Sequence, residues 1–165
     1  MKYIICDIDN TLSYSKYLSK IKRAWIKENE APQLNTLPYI KGTYEIIQNF
    51  INSNYKIIFL TVRKENKRKM TEEWLEKIWF NKNDFELIMN NLDLKVINWE
   101  NYDLSWNRIK SYKIKSIIYD KLVKGKNISF VLEDDESCVQ MWRYEKGLLC
   151  FQINNEIHID NIHFI

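Results

Sequence analysis

The sequence predicts an α/β fold in which a mostly parallel, doubly wound sheet of five strands carries helices on both faces. Three observations lead to this prediction. Five short apolar runs alternate with amphipathic stretches of helical period, the pattern of βαβ units. The runs are apolar almost throughout, as expected of strands covered on both faces. The chain has 165 residues, enough for one domain that buries about two-thirds of its surface.

Each predicted strand is rich in β-branched or aromatic residues. In chain order the strands are Lys2–Cys6, Lys56–Leu60, Phe85–Met89, Asn127–Leu132 and Leu148–Ile153. Four predicted helices lie between them, with apolar residues near i, i+3, i+4 and i+7 spacing. These helices are Gly42–Ser53, Lys67–Trp79, Ser105–Val123 and Ser137–Lys146. Their tryptophans, Trp74, Trp79 and Trp142, are expected in the core.

Composition excludes several classes of protein. With only 3 glycines, the chain has no GxGxxG and no GxxxxGK[ST] motif, so a dinucleotide fold or a P-loop kinase is not expected. Cys6, Cys138 and Cys150 are far apart and lie in apolar runs, so we expect buried, reduced thiols. No apolar run approaches a membrane span, and the N-terminus lacks the features of a signal peptide. These features predict a cytoplasmic protein without a membrane partner, whose oligomeric state stays open.

Two groups of acidic residues follow predicted strands. Asp7 and Asp9 come directly after the first strand, and Glu133, Asp134 and Asp135 directly after the fourth. The carboxyl ends of parallel strands meet at one edge of the sheet, where ligands bind. Carboxylates there are costly unless paired or bound to a cation, and their oxygens suit Mg²⁺. Either group alone could be a solvated turn, but together they predict a Mg²⁺ site.

Polar residues also follow the second strand and precede the fourth. Thr61 could hydrogen-bond an anionic oxygen, and Arg63 could bind a phosphate through two N–H groups. Lys113 and Lys115 lie on the predicted helix before the fourth strand, where an ammonium could reach a phosphate. Each observation has a plainer alternative, because Thr at a helix start is usually an N-cap and a helical lysine is usually solvated.

The order of these motifs resembles the haloacid dehalogenase (HAD) superfamily of phosphotransferases. The resemblance rests on the sequence DIDNT at positions 7–11 directly after a strand, followed by Thr61, a helical lysine and the acidic residues 133–135. It spans most of the chain. It implies a HAD-like Rossmannoid fold and a phosphatase that hydrolyses phosphoric monoesters through an aspartyl-phosphate, with Mg²⁺ as cofactor.

The resemblance also implies roles for individual residues. Asp7 would be the nucleophile and Asp9 the general acid and base, while Thr61 and Lys115 would bind the phosphate during catalysis. The implied metal ligands are Asp7, the Ile8 carbonyl, Asp9, Glu133, Asp134 and Asp135. Among the three consecutive acids Asp134 is preferred, and their register stays open. The remaining implied substrate contacts are Thr11, Arg63 and Lys113, and the choice between Lys113 and Lys115 stays open.

A narrower resemblance concerns the second half of the chain. The run Val131–Arg143, followed by Gly147 and Cys150–Ile153, looks like the phosphatase domain of bacteriophage polynucleotide kinase-phosphatase. Met70–Leu75 resembles the helix after the second motif of that domain, and Arg63 fits an arginine that contacts substrate phosphate there. This resemblance implies action on nucleic-acid 3′-phosphate ends in repair. It is consistent with a phage-encoded protein that acts in the host cytoplasm.

The spacing of the motifs leaves little room for a cap. We therefore expect residues 1–165 to form a single domain with a small flap at about 12–40 and a lid loop at about 90–107. An open site of this kind suits a large or extended substrate.

Basic stretches with interleaved aromatic residues would suit a single-stranded nucleic-acid end. These stretches are Lys16–Lys27, Arg63–Lys69 and Lys110–Lys126. The sequence thus favours a polynucleotide 3′-phosphatase. A 5′(3′)-nucleotidase or another small-ester phosphatase is one alternative, and a catalytically idle module that binds nucleic acid or protein is another.

Overall fold

A computed structural model describes residues 1–15, 37–91 and 110–154, together with the backbone of short strands within 102–109 and at 162–163. Its strands are β1 (Lys2–Cys6), β2 (Tyr39–Ile40), β3 (Tyr55–Lys64), β4 (Phe85–Asn90), β5 (Tyr102–Asp103), β6 (Arg108–Ile109), β7 (Ile128–Glu133), β8 (Cys150–Gln152) and β9 (Ile162–His163). The central sheet has the order β4-β3-β1-β7-β8, and its strand pairs are parallel. The predicted α/β fold is confirmed.

Helices connect these strands and cover the sheet. They are α1 (Lys41–Asn52), α2 (Arg68–Lys77), α3 (Ser111–Ile118) and α4 (Glu136–Gln140). A 3₁₀ turn at Glu65–Lys67 leads into α2, and π-helical turns at Tyr119–Val123 and Met141–Glu145 continue α3 and α4. The predicted long helix begins at Ser111 instead of Ser105, because Arg108–Ile109 pairs as a strand with Tyr102–Asp103.

The core consists of two apolar clusters, one on each face of the sheet. Ile4 packs on one face with Ile47 of α1 and Trp74 of α2. Ile5 packs on the other face with Ile114 of α3, alongside the residues of α4. Successive side chains of a strand point to opposite faces, so the uninterrupted apolar sequence of β1 supplies both clusters. This arrangement agrees with a doubly wound sheet.

β3 is longer than its apolar sequence indicates. It continues beyond Leu60 to Lys64, where it pairs with Asn90 of β4 after a shift in register. Backbone pairing with β4 holds these polar residues in the strand, although their side chains carry no apolar signal. Thr61 and Arg63 therefore lie within a strand and not at the start of a helix.

Among the tryptophans expected in the core, Trp74 and Trp142 are completely buried, but Trp79 is 73% exposed. The prediction for Trp79 is wrong because α2 ends at Lys77 and the chain turns there. Trp79 has a left-handed backbone with φ 65°, and its N–H donates to the Glu76 carbonyl. Its side chain consequently leaves the apolar face of the helix.

The three cysteines are buried and free, as expected. No helix in the described ranges is long and apolar enough to cross a membrane. The expected flap lies mostly, and the lid loop largely, outside the described residues, as does the basic stretch Lys16–Lys27. That residues 1–165 form one domain stays a prediction.

Candidate active site

Acidic residues from two neighbouring strands meet at the carboxyl edge of the sheet. Asp7 directly follows β1 and Glu133 ends β7, and the Asp7 N–H donates to the Leu132 carbonyl over 3.0 Å. Oxygens of Asp7, Glu133 and Asp134 lie within 4.8 Å of one another. Pairing of β1 with β7 thus brings together the two acidic groups that are remote in sequence.

A tight turn after β1 adds a hydroxyl to this cluster. Asn10 has a left-handed backbone with φ 64°, a conformation that Asn adopts more readily than most residues. The turn places the Thr11 hydroxyl 3.1 Å from Asp134 Oδ1 and 3.4 Å from Asp7 Oδ2. Thr11 therefore links the two strand ends and does not point away into solvent.

The same turn engages the carbonyl of Ile8. This oxygen accepts the N–H groups of Leu12 at 3.0 Å and Ser13 at 2.7 Å. A carbonyl oxygen has two lone pairs, so both are in use. In this structure two backbone N–H groups thus occupy the carbonyl oxygen that the resemblance implies as a metal ligand.

Lys115 lies at the centre of the acidic residues. Its Nζ is 2.8 Å from Asp7 Oδ1 and 2.6 Å from Glu133 Oε2, and only 3% of its side chain is exposed. Lys115 is the fifth of the eight residues of α3 and lies in the last turn of that helix. Between Lys113 and Lys115, it is Lys115 that reaches the acids, while the Lys113 ammonium lies over the ring of Tyr112.

Burial and mutual interaction shift the protonation of this group. Burial raises the pKa of Asp7 well above its usual range, and attraction to Lys115 offsets only part of that rise. The pKa of Glu133 is raised for the same reason. Burial acts to lower the pKa of Lys115, but Asp7 and Glu133 outweigh it and hold the pKa well above its usual range. Lys115 is therefore an ammonium at neutral pH.

The charges of the cluster fit a divalent cation. Three carboxylates and one ammonium leave a net charge of −2 when all are ionised. Glu133 is 1% exposed, and its Oε2 accepts from Lys115 and from Trp142 Nε1 at 3.2 Å. Its Oε1 is buried without a hydrogen-bond partner in the described part of the chain. A buried oxygen of this kind needs a partner, and oxygen-rich sites favour hard cations.

Asp9 faces a different partner. Its carboxylate receives Arg63 Nε at 2.9 Å and Arg63 Nη2 at 2.7 Å, and it also accepts the Ser15 hydroxyl. Burial raises the pKa of Asp9, but Arg63 and Ser15 outweigh this effect, and the net pKa is lowered. Asp7 and Asp9 thus have opposite pKa shifts, because their partners differ.

The remaining predicted residues have clear local contacts. The Thr61 hydroxyl is buried and accepts the Arg63 N–H at 3.2 Å, so it can still donate its own proton. Asp135 accepts the Cys138 N–H at 3.1 Å and thereby caps α4. Its carboxylate accepts from the helix backbone and is not among the acids of the cluster formed by Asp7, Glu133 and Asp134.

Sequence reasoning missed the polar residues that support the predicted ones. Ser13, Ser15 and Thr71 contact Asp9 or Arg63, and Trp142 contacts Glu133. Ser13, Ser15 and Thr71 belong to no sequence motif that would mark them as functional. Trp142 has the helical spacing of an ordinary core residue. Their contacts depend on how the strands and helices pack together, so only the folded structure reveals these residues.

Comparison with known proteins assigns the chain to a family. The family model of the polynucleotide kinase PNKP phosphatase domain, a HAD-type family, matches residues 1–157. The chain belongs to this family. A search of curated proteins gives no match to this phosphatase. Enzymes of the HAD phosphatase class generally use a divalent metal, which agrees with the acidic cluster.

Solved structures also resemble this chain. The phosphatase superposes with a TM-score of 0.66 on a chain in "Structure of Pnkp1/Rnl/Hen1 complex", at 26% identity, covering 93% of this chain and 46% of that one. It thus spans less than half the length of that relative.

Two more distant structures share the fold. A Bacillus anthracis class C acid phosphatase with bound tungstate matches at 14% identity and a TM-score of 0.55, covering 95% of this chain and 68% of that one. A Thermotoga maritima putative beta-phosphoglucomutase matches at 13% identity and the same score, covering 96% and 88%.

Proposed function

We propose that this phosphatase removes the phosphate from the 3′ end of a nucleic acid, in a Mg²⁺-dependent reaction that passes through a phosphorylated Asp7. The observation that carries the proposal is the contact of Asp7 Oδ1 with the buried ammonium of Lys115 at the end of β1. Family membership supports the reaction class, and the family name supports the polynucleotide. Action in the cytoplasm is part of the same proposal and rests on the sequence.

Asp7 supplies the nucleophile. One carboxylate oxygen attacks phosphorus, and the bond between phosphorus and the leaving-group oxygen breaks. Lys115 compensates the charge of the attacking carboxylate and of the phosphate oxygens beside it. The Thr61 hydroxyl, which already accepts from the Arg63 N–H, donates its proton to a phosphate oxygen. These fixed groups supply orientation and charge stabilisation, which phosphoryl transfer chiefly requires.

Asp9 moves the proton. It protonates the leaving oxygen as the ester bond breaks, and it then takes a proton from the water that hydrolyses the aspartyl-phosphate. Asp7 is thereby restored and inorganic phosphate is released. The two carboxylates are two residues apart, so both follow the same strand and can act on one phosphate.

Mg²⁺ would be held by Asp7, Glu133 and Asp134. The fit rests on the orphaned Glu133 Oε1 and on the net charge of the cluster. When bound, the ion would neutralise charge on the phosphate oxygens. Thr11 keeps Asp134 beside Asp7, so the ligands from the two strands stay together.

Exposed lysines beside the site support an extended polyanionic substrate. We call Lys64, Lys67 and Lys110 the lysine rim; all three are exposed, and none pairs with a carboxylate among the described residues. Lys64 lies three residues beyond Thr61 in β3, about 10 Å along the strand. Lys110 precedes α3, about 7.5 Å of helical rise from Lys115. Phosphates next to a 3′ end lie at comparable distances from it.

A substrate panel tests the proposed function. Purified wild-type protein is assayed with a 3′-phosphorylated oligonucleotide, a 5′-phosphorylated oligonucleotide, nucleoside 3′-monophosphates and p-nitrophenyl phosphate, with Mg²⁺ or with chelator. We expect the highest kcat/KM for the 3′-phosphorylated oligonucleotide, and activity that requires Mg²⁺. Faster cleavage of mononucleotides would make the protein a nucleotidase. No hydrolysis of any ester would overturn the phosphatase chemistry.

The lysine rim provides the matched variants for this panel. Lys64→Glu/Lys110→Glu should raise KM for the oligonucleotide and reduce the salt dependence of kcat/KM by about one to two logarithmic slope units. Activity on p-nitrophenyl phosphate should stay within about twofold. The control is Lys121→Glu/Lys124→Glu, at exposed lysines near the amino end of β7, which should change neither substrate. Equal effects of both pairs would contradict binding at the rim.

A further inference from the structure

Arg63 is almost fully committed to protein partners. A guanidinium has five N–H groups, and four of them are used here. Two go to Asp9, one from Nη2 goes to Ser13 at 3.4 Å, and one from Nη1 goes to Thr71 at 3.3 Å. The residue is also 8% exposed. One remaining N–H cannot form the paired contact with which arginine usually binds a phosphate.

Two elements hold this guanidinium in place. Ser13 belongs to the turn after β1, and Thr71 belongs to α2. The Thr71 hydroxyl accepts from Arg63 and donates to the Lys67 carbonyl over 3.0 Å, so its orientation is fixed by both bonds. Thr71 is completely buried. Arg63 thus cannot leave Asp9 without breaking contacts with both elements.

The contacts also define which oxygen of Asp9 has an acceptor site left. A carboxylate has about four acceptor sites, two on each oxygen. Oδ1 receives Arg63 Nη2 and the Ser15 hydroxyl, whereas Oδ2 receives Arg63 Nε. These three contacts use three of the four acceptor sites, and the remaining acceptor site is on Oδ2.

We propose that Arg63, held by Thr71, is a positioning residue that fixes the orientation of the Asp9 carboxylate, and that it is not a substrate clamp. The inference rests on the proposed function, since it concerns the proton step of that reaction. In that step Asp9 gives a proton to the leaving oxygen as the bond from phosphorus to that oxygen breaks and the bond to Asp7 forms. Asp9 regains a proton from the attacking water.

The test uses leaving groups of different basicity. A basic alkoxide, such as a 3′-nucleoside, needs protonation as it departs, whereas p-nitrophenolate does not. Arg63→Gln and Thr71→Val are compared with wild type on a nucleoside 3′-monophosphate and on p-nitrophenyl phosphate. We expect kcat for the nucleoside ester to fall about 10²-fold with Arg63→Gln and about tenfold with Thr71→Val. For the aryl ester, the fold-decrease in kcat of each variant should be at most about a third of its fold-decrease for the nucleoside ester. KM should stay within about threefold.

Controls separate positioning from folding and from substrate binding. Asp9→Asn should show the same preference for the aryl ester in stronger form. Arg63→Lys should recover part of the lost kcat. Thr43→Val, at another buried threonine, should leave both activities unchanged. Unfolding midpoints of all variants are measured, and assays are run well below them.

The outcomes are distinct. A rise in KM with equal loss on both esters would make Arg63 a substrate clamp and overturn the inference, while the phosphatase function would stand. A uniform fall in kcat that follows the unfolding midpoint would also overturn it. Wild type without activity on either ester would instead overturn the proposed function.

Discussion

At Asp7, the buried acid that is the proposed nucleophile, two requirements conflict. A nucleophile must be ionised, yet burial favours the neutral form, and Glu133 adds a like charge nearby. Lys115 relieves only part of this cost. The raised pKa of Asp7 therefore predicts that ionisation of this residue lowers the free energy of unfolding of the metal-free protein.

The isosteric variant Asp7→Asn measures that cost through its pH dependence. Because the pKa of Asp7 is raised, the folded protein binds more protons than the unfolded chain above about pH 4, and its stability falls as pH rises through that window. Asn cannot titrate. We expect Asp7→Asn to be more stable than wild type at pH 8, with a smaller difference at pH 5.

Urea unfolding at both pH values, with chelator and with Mg²⁺, checks this prediction. Mg²⁺ should stabilise wild type at pH 8 and reduce its difference from the variant. Asp135→Asn is not an equivalent control, because Asp135 caps α4, so Glu145→Gln, at an exposed acid remote from the cluster, serves instead. A wild type that is more stable than Asp7→Asn at pH 8 in chelator would contradict the account.

At the level of elements, the end of α2 stores conformational strain. The Trp79 N–H donates to Glu76 and the Phe80 N–H to Leu75, which together form a Schellman motif with Trp79 at the left-handed position. Glycine is favoured there, because a left-handed backbone costs an L-residue about 1–2 kcal/mol. Trp79 is mostly exposed, so its side chain recovers little by packing.

We predict that Trp79→Gly raises the free energy of unfolding by about 1 kcal/mol. Asn54 is the matched comparison, since it has φ 62° after α1 and its N–H donates to Ile51. Asn tolerates this backbone, so Asn54→Gly should gain only a few tenths of a kcal/mol. Urea unfolding of both variants decides the matter, and a destabilised Trp79→Gly would show that the indole makes a contact worth more than the strain.

The predicted and observed strands and helices differ mainly where an element ends. The cores of all five strands of the central sheet were predictable, because each coincides with a short and mainly apolar run. The extension of β3 to Lys64 was not, since it depends on backbone pairing with Asn90. Trp79 was misplaced because helical spacing continues past Lys77, whereas the actual helix ends in a turn.

The site was predictable to the same extent. The residues directly after β1 and β7 could be predicted to lie close together, because the carboxyl ends of parallel strands meet at one edge of the sheet. The partner of Arg63 could not be predicted, because a guanidinium binds a phosphate or a carboxylate equally well. Only the fold places Arg63 Nη2 2.7 Å from Asp9 Oδ1. The same holds for Ile8, whose carbonyl is used by the turn.

At the scale of the whole molecule, opposite charges are separated. The net charge is +3, but the acidic cluster at the carboxyl edge is negative, and the lysines of the rim are exposed. In the proposed function, the rim would attract a polyanion and the cluster would hold a cation. The chain also spans less than half the length of a relative found in a Pnkp1/Rnl/Hen1 complex.

The central claim is that Asp7 becomes phosphorylated. The direct measurement is acid quenching of the protein during turnover of a radiolabelled phosphate ester with Mg²⁺, followed by mapping of the label. We predict hydroxylamine-sensitive label on the peptide that contains Asp7, none in Asp7→Asn, and increased label in Asp9→Asn if water attack slows more than phosphorylation. Active turnover without label on Asp7, or label retained in Asp7→Asn, would contradict the account.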